Sequence, residues 1–289
     1  MKNNKTKAPA KLNLTLEIVQ KLPNGFHQLR SVILKSKKLF DELEIIFNEQ
    51  EDGIKIICDD PTVPIDEKNI CWKIAERFFK ETKRCVGLTI KIKKNIPLAS
   101  GLGGGSSDGA IVLLALNTYF QNIFSEKKLI TLATEIGKDI PLFLSDADAV
   151  FISGMGEKII PLKKFPRLNL LIINPLGEIS TPWAYGELDK ELLFMKDKKR
   201  QNLSEKFVKN SSNSRKMSQY LYNDFSVIAK KKYPISETLE KALISFGAIG
   251  ASLTGKGPTV FGIFKTKKDA LRVKEILQKY YPQFFIEIA

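Results

Sequence analysis

The chain has 289 residues, 43% hydrophobic and 27% charged, which is the composition of a folded protein and excludes disordered, collagen-like and small disulfide-framework classes. At about 150 residues per domain, that length predicts two domains with cores of ordinary size. Lys plus Arg number 46 against 32 Asp plus Glu, and the net charge of +14 favours polyanionic partners: nucleic acid, acidic lipid or a phosphorylated small molecule.

The longest apolar runs, 110–116 and 170–173, are far shorter than the roughly 20 residues that span a bilayer, so no membrane association is expected. Lys2, Lys5 and Lys7 are not followed by an apolar core of signal-peptide length, so a cytoplasmic protein is expected. Cys58, Cys71 and Cys85 are odd in number and lack a close pair, as befits a reducing compartment. The same spacing argues against a zinc site shared with His27, the one histidine.

Along the chain, Leu12, Leu14, Leu16 and Ile18 alternate with Asn13, Thr15 and Glu17, which predicts a half-buried strand with Lys11 and Asn13 on one face. Further strands are expected at 43–47, 54–57 and 88–93, with Pro23, Asn24 and Gly25 turning the chain between the first pair. Ile70, Ile74 and Phe78 recur at helical spacing, residues 109–120 read as a helix buried on all sides, and a third helix is expected over 126–137. A boundary is placed near residue 160. Beyond it come a strand at 169–173, a helix at 236–246, a strand at 259–264, a helix at 267–280 and a last strand at 284–288. Residues 195–217 carry eight basic and two acidic residues among Ser, Asn and Gln, and read as a solvated, mobile loop. Strands, hairpins and helices mixed in this way imply an α+β fold in two layers.

The most informative stretch is PLASGLGGGSSD at 97–108, between the 88–93 strand and the buried helix. Gly101, Gly103, Gly104 and Gly105, beside the small Ser100, allow positive φ and close approach of a ligand to the main-chain amides. A helix starting there offers unpaired N–H groups and the positive end of its dipole, which together form a cradle for phosphates. The competing reading is a loop capped by Ser106, Ser107 or Asp108. A Rossmann fingerprint fails at Ser106. GASLTGK at 250–256 continues with Gly257, Pro258 and a strand-like run where a P-loop needs Ser or Thr and a helix, so that motif is rejected as well.

These residues resemble the GHMP small-molecule kinases nearly end to end. The likeness is carried by APAKLNLTLEI (8–18), NGFH (24–27), the glycine loop, IGKDIPLFL (136–144), STPWAYGELD (180–189), YNDF (222–225) and LTGKGPTVFG (253–262). The resemblance implies a two-domain GHMP kinase fold: a ribosomal-protein-like β/α domain at 1–160 that binds ATP, then a ferredoxin-like α/β sandwich at 161–289 on the substrate side. It implies transfer of the γ-phosphoryl of ATP, with Mg2+, to the 2-hydroxyl of a small-molecule substrate carrying a cytidine diphosphate group. Asp139 matches the catalytic base and Lys11 its partner. The ATP-binding residues would be Pro97, Leu98, Ala99, Ser100, Gly101, Leu102, Gly103, Gly104, Gly105, Ser106 and Ser107, with Asn69 near the adenine.

Asn13 would touch the substrate, Phe26 and Tyr185 would stack on the cytosine, and His27 would read its polar edge. Ser106 and Ser107 would neighbour the metal, whose ligands the sequence leaves open. The resemblance implies a monomer or homodimer that takes no nucleic acid. Lys138, Lys256 and the SDAD run at 145–148 depart from the family pattern, where small or glycine residues are usual. A mevalonate- or homoserine-type kinase would share the ATP loop and Asp139 but ignore the cytidine handle. A basic RNA-binding protein would give the loop and Asp139 no work.

Overall fold

The computed structural model describes residues 2–192 and 202–289. In chain order its elements are β1 (Lys2–Lys21), β2 (His27–Asn48), β3 (Ile54–Cys58), α1 (Ile70–Thr82), β4 (Gly87–Lys93), α2 (Gly104–Tyr119), α3 (Glu126–Ile136) and a 3-10 turn (Ile140–Leu144). There follow β5 (Ala149–Ser153), β6 (Lys158–Pro161), β7 (Asn169–Asn174), α4 (Thr181–Leu192), α5 (Leu203–Lys209), α6 (Ser214–Ser218) and β8 (Tyr222–Asn223). The chain closes with α7 (Ser226–Lys232), α8 (Ile235–Ser245), β9 (Gly250–Leu253), β10 (Val260–Phe264), α9 (Lys267–Tyr280) and β11 (Phe285–Ile288). None of the described helices is long and apolar enough to cross a membrane.

Two compact units emerge. The first comprises residues 1–10, 39–98 and 103–146; the second takes 11–38, 99–102 and 147–289. In the first, β4 lies between β3, to which it is parallel, and the second half of β2, to which it is antiparallel with Ile45 opposite Ile90. Helix α1 forms because Ile70, Ile74 and Phe78 share one face, and Asn69 caps it by accepting from the Cys71 amide at 2.8 Å. Helix α2 is apolar nearly all round, with Ala110, Val112, Leu113 and Leu116 fully buried. It packs so closely on α1 that a Cβ at Gly109 would meet Ile70 Cγ2 at 2.7 Å.

In the second unit, β11, β7, β10 and β9 form an antiparallel sheet in that order. Counting these strands along the chain gives a 4-1-3-2 order with helices as crossovers, the topology of a ferredoxin-like sandwich. Its core joins Leu171, Ile173 and Val260 of the sheet to Leu239, Leu243, Val273 and Leu277 of the helices. The α+β architecture expected from the sequence is the one observed.

Three local expectations change. β1 is buried on both faces instead of one: Leu12 and Leu14 are fully enclosed, and Lys11, Asn13, Thr15 and Glu17 are each at most 6% exposed. Such polar side chains can be enclosed because each finds hydrogen-bond partners. Helix α2 starts at Gly104, five residues earlier than its apolar pattern suggests, because the glycines themselves form its first turn. Of the basic stretch expected to be a loop, 195–201 lies outside the described residues, while 203–218 contains α5 and α6. The cause is burial of Phe207 and Met217, together with the enclosed Glu17 carboxylate, which accepts from the Leu203 and Ser204 amides (2.9 and 2.7 Å) and so caps α5.

Candidate active site

Period-two geometry puts Lys11 and Asn13 on one face of β1, and the structure joins them: Lys11 Nζ donates to Asn13 Oδ1 at 2.6 Å. Asn13 Nδ2 donates to Ser31 Oγ (2.8 Å), which donates to the Thr15 carbonyl (2.5 Å), while the Asn13 amide donates to Thr254 Oγ1 (2.8 Å). An enclosed ammonium is costly unless it is hydrogen-bonded, and this chain of contacts also fixes where its charge lies.

In the same unit, the tight turn between β1 and β2 closes through the Leu22 amide donating to the Phe26 carbonyl at 2.7 Å, with Gly25 at φ +82°, and delivers His27 as the first residue of β2. Tyr185 of α4 stacks on the His27 ring, centroids 4.7 Å apart. Asp189, one turn further along α4, receives His27 Nε2 at 2.6 Å through one oxygen and Lys21 Nζ at 2.6 Å through the other. Burial would raise the Asp189 carboxyl, but the hydrogen bonds from Lys21 and His27 outweigh it and hold the group below the ordinary carboxylate range. Phe26, in the turn between β1 and β2, is 48% exposed.

The glycine loop has left-handed backbone at Ala99 (φ +52°), Gly101 (+78°) and Gly103 (+73°). Gly103 is the N-cap of α2 and supplies no side-chain cap, while Ser106, Ser107 and Asp108 all lie inside the helix. The capping alternative is therefore wrong. The first-turn amides of this buried, apolar helix receive no side-chain cap, so these donors and the positive end of the helix dipole are what an anion at this turn would meet. Gly104 sits in a tight place, since a Cβ there would approach Asp41 Oδ2 at 3.1 Å and Ile96 at 3.2 Å. The Ser107 hydroxyl is buried without a hydrogen-bond partner.

In the second unit, the Ser100 carbonyl accepts from Thr259 Oγ1 at 2.6 Å, and a Cβ on Gly255 would come within 3.2 Å of the Gly101 carbonyl. The third glycine motif thus seats the loop; its flanks, β9 and β10, form an antiparallel hairpin where a P-loop would carry a helix. Lys256 of this motif donates to Thr181 Oγ1 at the start of α4.

In the first unit, a buried ion cluster lies where β4 ends and α2 begins. Lys94 Nζ bridges Asp41 and Asp108, the latter at 2.9 Å, and Asp41 Oδ1 also accepts from the Asn95 and Ile96 amides (2.6 and 2.8 Å). Burial pushes the Asp108 carboxyl up to about 7 against the pull of Lys94, and the neighbouring Asp41 raises it further. Asp139 is exposed at the N-cap of the 3-10 turn but makes no side-chain capping bond, so no structural duty accounts for it. Asn69 is engaged at both ends of its amide, capping α1 and donating to the Pro64 carbonyl at 2.6 Å.

Sequence reasoning missed Asp189, Asp41 and Lys94. The i to i+4 spacing of Tyr185 and Asp189 would have exposed the first once α4 was recognised. The other two are ordinary surface-type residues in sequence, and only their burial reveals them.

A model of the GHMP kinases N terminal domain matches residues 69–152, and one of the GHMP kinases C terminal matches residues 207–283. A protein from Caldicellulosiruptor saccharolyticus, named 4-diphosphocytidyl-2-C-methyl-D-erythritol kinase, is 35% identical over 97% of this chain and 94% of its own. The chain belongs to the GHMP kinase family. It is an ATP-dependent small-molecule kinase. A relative of the same name from Acetivibrio thermocellus is 32% identical over 99% of both chains. The crystal structure of a 4-(cytidine 5'-diphospho)-2C-methyl-D-erythritol kinase superposes with a TM-score of 0.80 at 25% identity, covering 99% of this kinase and 98% of that chain. A homoserine kinase from Cytophaga hutchinsonii shares the fold, with a TM-score of 0.74 at 20% identity over 100% of this kinase and 94% of that chain.

Proposed function

We propose that this kinase phosphorylates the 2-hydroxyl of 4-diphosphocytidyl-2-C-methyl-D-erythritol with ATP, a step of the non-mevalonate isoprenoid route. The observation that carries the reaction type is the uncapped first turn of α2, whose amides have no side-chain acceptor of the protein's own. The substrate is drawn from near full-length similarity to proteins bearing that name. The cluster of His27, Tyr185 and Asp189 supports it, because a stacked aromatic beside an imidazole suits a nucleobase.

Phosphoryl transfer demands positioning and charge stabilisation more than covalent chemistry. Residues 97–107 hold the triphosphate through main-chain amides, and Asn69 borders the adenine. Asp139 orients the attacking hydroxyl and accepts its proton. Lys11, fixed by Asn13, supplies positive charge to the reacting oxygen, and Asn13 contacts the substrate. Phe26 and Tyr185 hold the cytosine while His27 reads its edge. The half-buried Ser106 and the unpartnered Ser107 hydroxyl are the oxygen donors of this turn that would hold Mg2+. When bound, that ion neutralises charge on the β- and γ-phosphates.

The test is a panel with ATP and Mg2+ offering the diphosphocytidyl substrate, mevalonate, homoserine and galactose. Turnover of the first alone is expected; turnover of one of the other three alone would overturn the assignment.

A further inference from the structure

We infer that Asp189 is a specificity-determining positioning residue: by holding His27 Nε2 it sets the tautomer through which the site takes cytosine and rejects uracil. This rests on the reading above that His27 faces the base. An ionised carboxylate has no hydrogen to give, so at the 2.6 Å contact with Asp189 it is His27 Nε2 that carries the proton. In the neutral ring, Nδ1 is then an acceptor, and it makes no hydrogen bond among the described residues. Cytosine presents an exocyclic amino donor where uracil presents a carbonyl. A bare Nδ1 therefore pairs with the first and opposes the second lone pair to lone pair.

Four features hold the ring in that state. Tyr185 lies against its face, Asp189 holds its edge, and these two residues are one helical turn apart on α4, so a single rigid element fixes both plane and proton. Lys21 occupies the other oxygen of Asp189, which keeps the carboxylate ionised and aimed. The imidazole is buried, its side chain 6% exposed, so water does not readily replace the lost orientation.

The chain's single histidine makes the test direct, because selective 15N labelling gives one imidazole spectrum. In the unaltered protein, the neutral ring is expected as the Nε2–H tautomer, and Asp189→Asn and Asp189→Ala are expected to shift it toward Nδ1–H. In parallel, kcat/KM is compared for the cytidine-bearing substrate and its uridine analogue. The cytosine preference is expected to fall at least about tenfold in both variants, the usual scale for loss of a residue that orients a histidine, with the loss in KM for the cytosine substrate. If both variants keep the native spectrum and the native preference, the proposal is wrong while the reading of the site stands. If His27→Gln leaves the preference unchanged, His27 does not face the base, and the reading of that subsite falls together with the proposal.

Discussion

Asp139 is the residue on which the proposed chemistry turns. It has the backbone of a turn, no capping bond and an exposed side chain, so replacing it disturbs little besides reactivity. Asp139→Asn is expected to fold and to bind ATP as the native enzyme does while losing at least about a hundredfold in kcat, the scale of a positioned acid–base group. Retained turnover would remove it from the mechanism. Asp108 makes the opposite kind of prediction. Its carboxyl, raised to about 7 by burial, binds a proton in the native state over a range where the unfolded chain has released it. The contribution is therefore complete below the ordinary carboxylate range and is lost as pH rises through about 7. Acids whose carboxyls are lowered, such as Glu42 and Glu81, change stability below their ordinary range, so they do not mask this window. Urea denaturation between about pH 5 and 8 should show stability falling with pH, and Asp108→Asn should flatten that slope. A native slope unaffected by the substitution would show that Asp108 does not hold that proton.

At the scale of elements, the first turn of α2 is where packing and the proposed phosphate binding can be tested apart. Gly105 is exposed, and a Cβ there would meet only Ile70 Cδ1 at an ordinary 3.4 Å, whereas at Gly109 the same atom would strike Ile70 Cγ2 at 2.7 Å. Gly105→Ala should thus stabilise the helix by about 0.5–1 kcal/mol and yet raise the KM for ATP, since the methyl group stands among the amides. Gly109→Ala should cost about 1–3 kcal/mol through overpacking, with little change in KM for ATP. Thermal melts and ATP titrations of the two variants check this crossing of effects; parallel changes would mean that the turn binds no phosphate. What was legible in sequence follows the same division. Periodicity located α1, α3, α9 and the strands from β7 onward that carry long apolar runs, and glycine spacing located the loop. Helix α4 was missed because STPWAYGELD places Pro, Gly and polar residues across the helical repeat, hiding the element that carries Tyr185 and Asp189. Helices α5 and α6 were hidden by the eight basic residues of 195–217, although Phe207 and Met217 decide the outcome through burial.

For the whole molecule, chain order conceals the organisation. β1 and β2 each contribute to both compact units, an arrangement that no local pattern encodes because it depends on which distant segments pair. Net charge, in contrast, was readable at once. With +14 on the kinase, and with ATP and the proposed diphosphate substrate both polyanionic, long-range attraction should raise encounter rates before any specific contact forms. Raising salt from about 10 to about 100 mM shortens the Debye length from about 30 to about 10 Å, which removes attraction at a distance while leaving enclosed pairs such as Lys11 with Asn13 largely unscreened. The expected outcome is a fall of at least about threefold in kcat/KM for both substrates with kcat nearly constant. Initial-rate measurements at matched free Mg2+ and viscosity distinguish this from a conformational effect of salt, which would move kcat as well. If kcat/KM stays level across that range, the positive surface contributes nothing to capture.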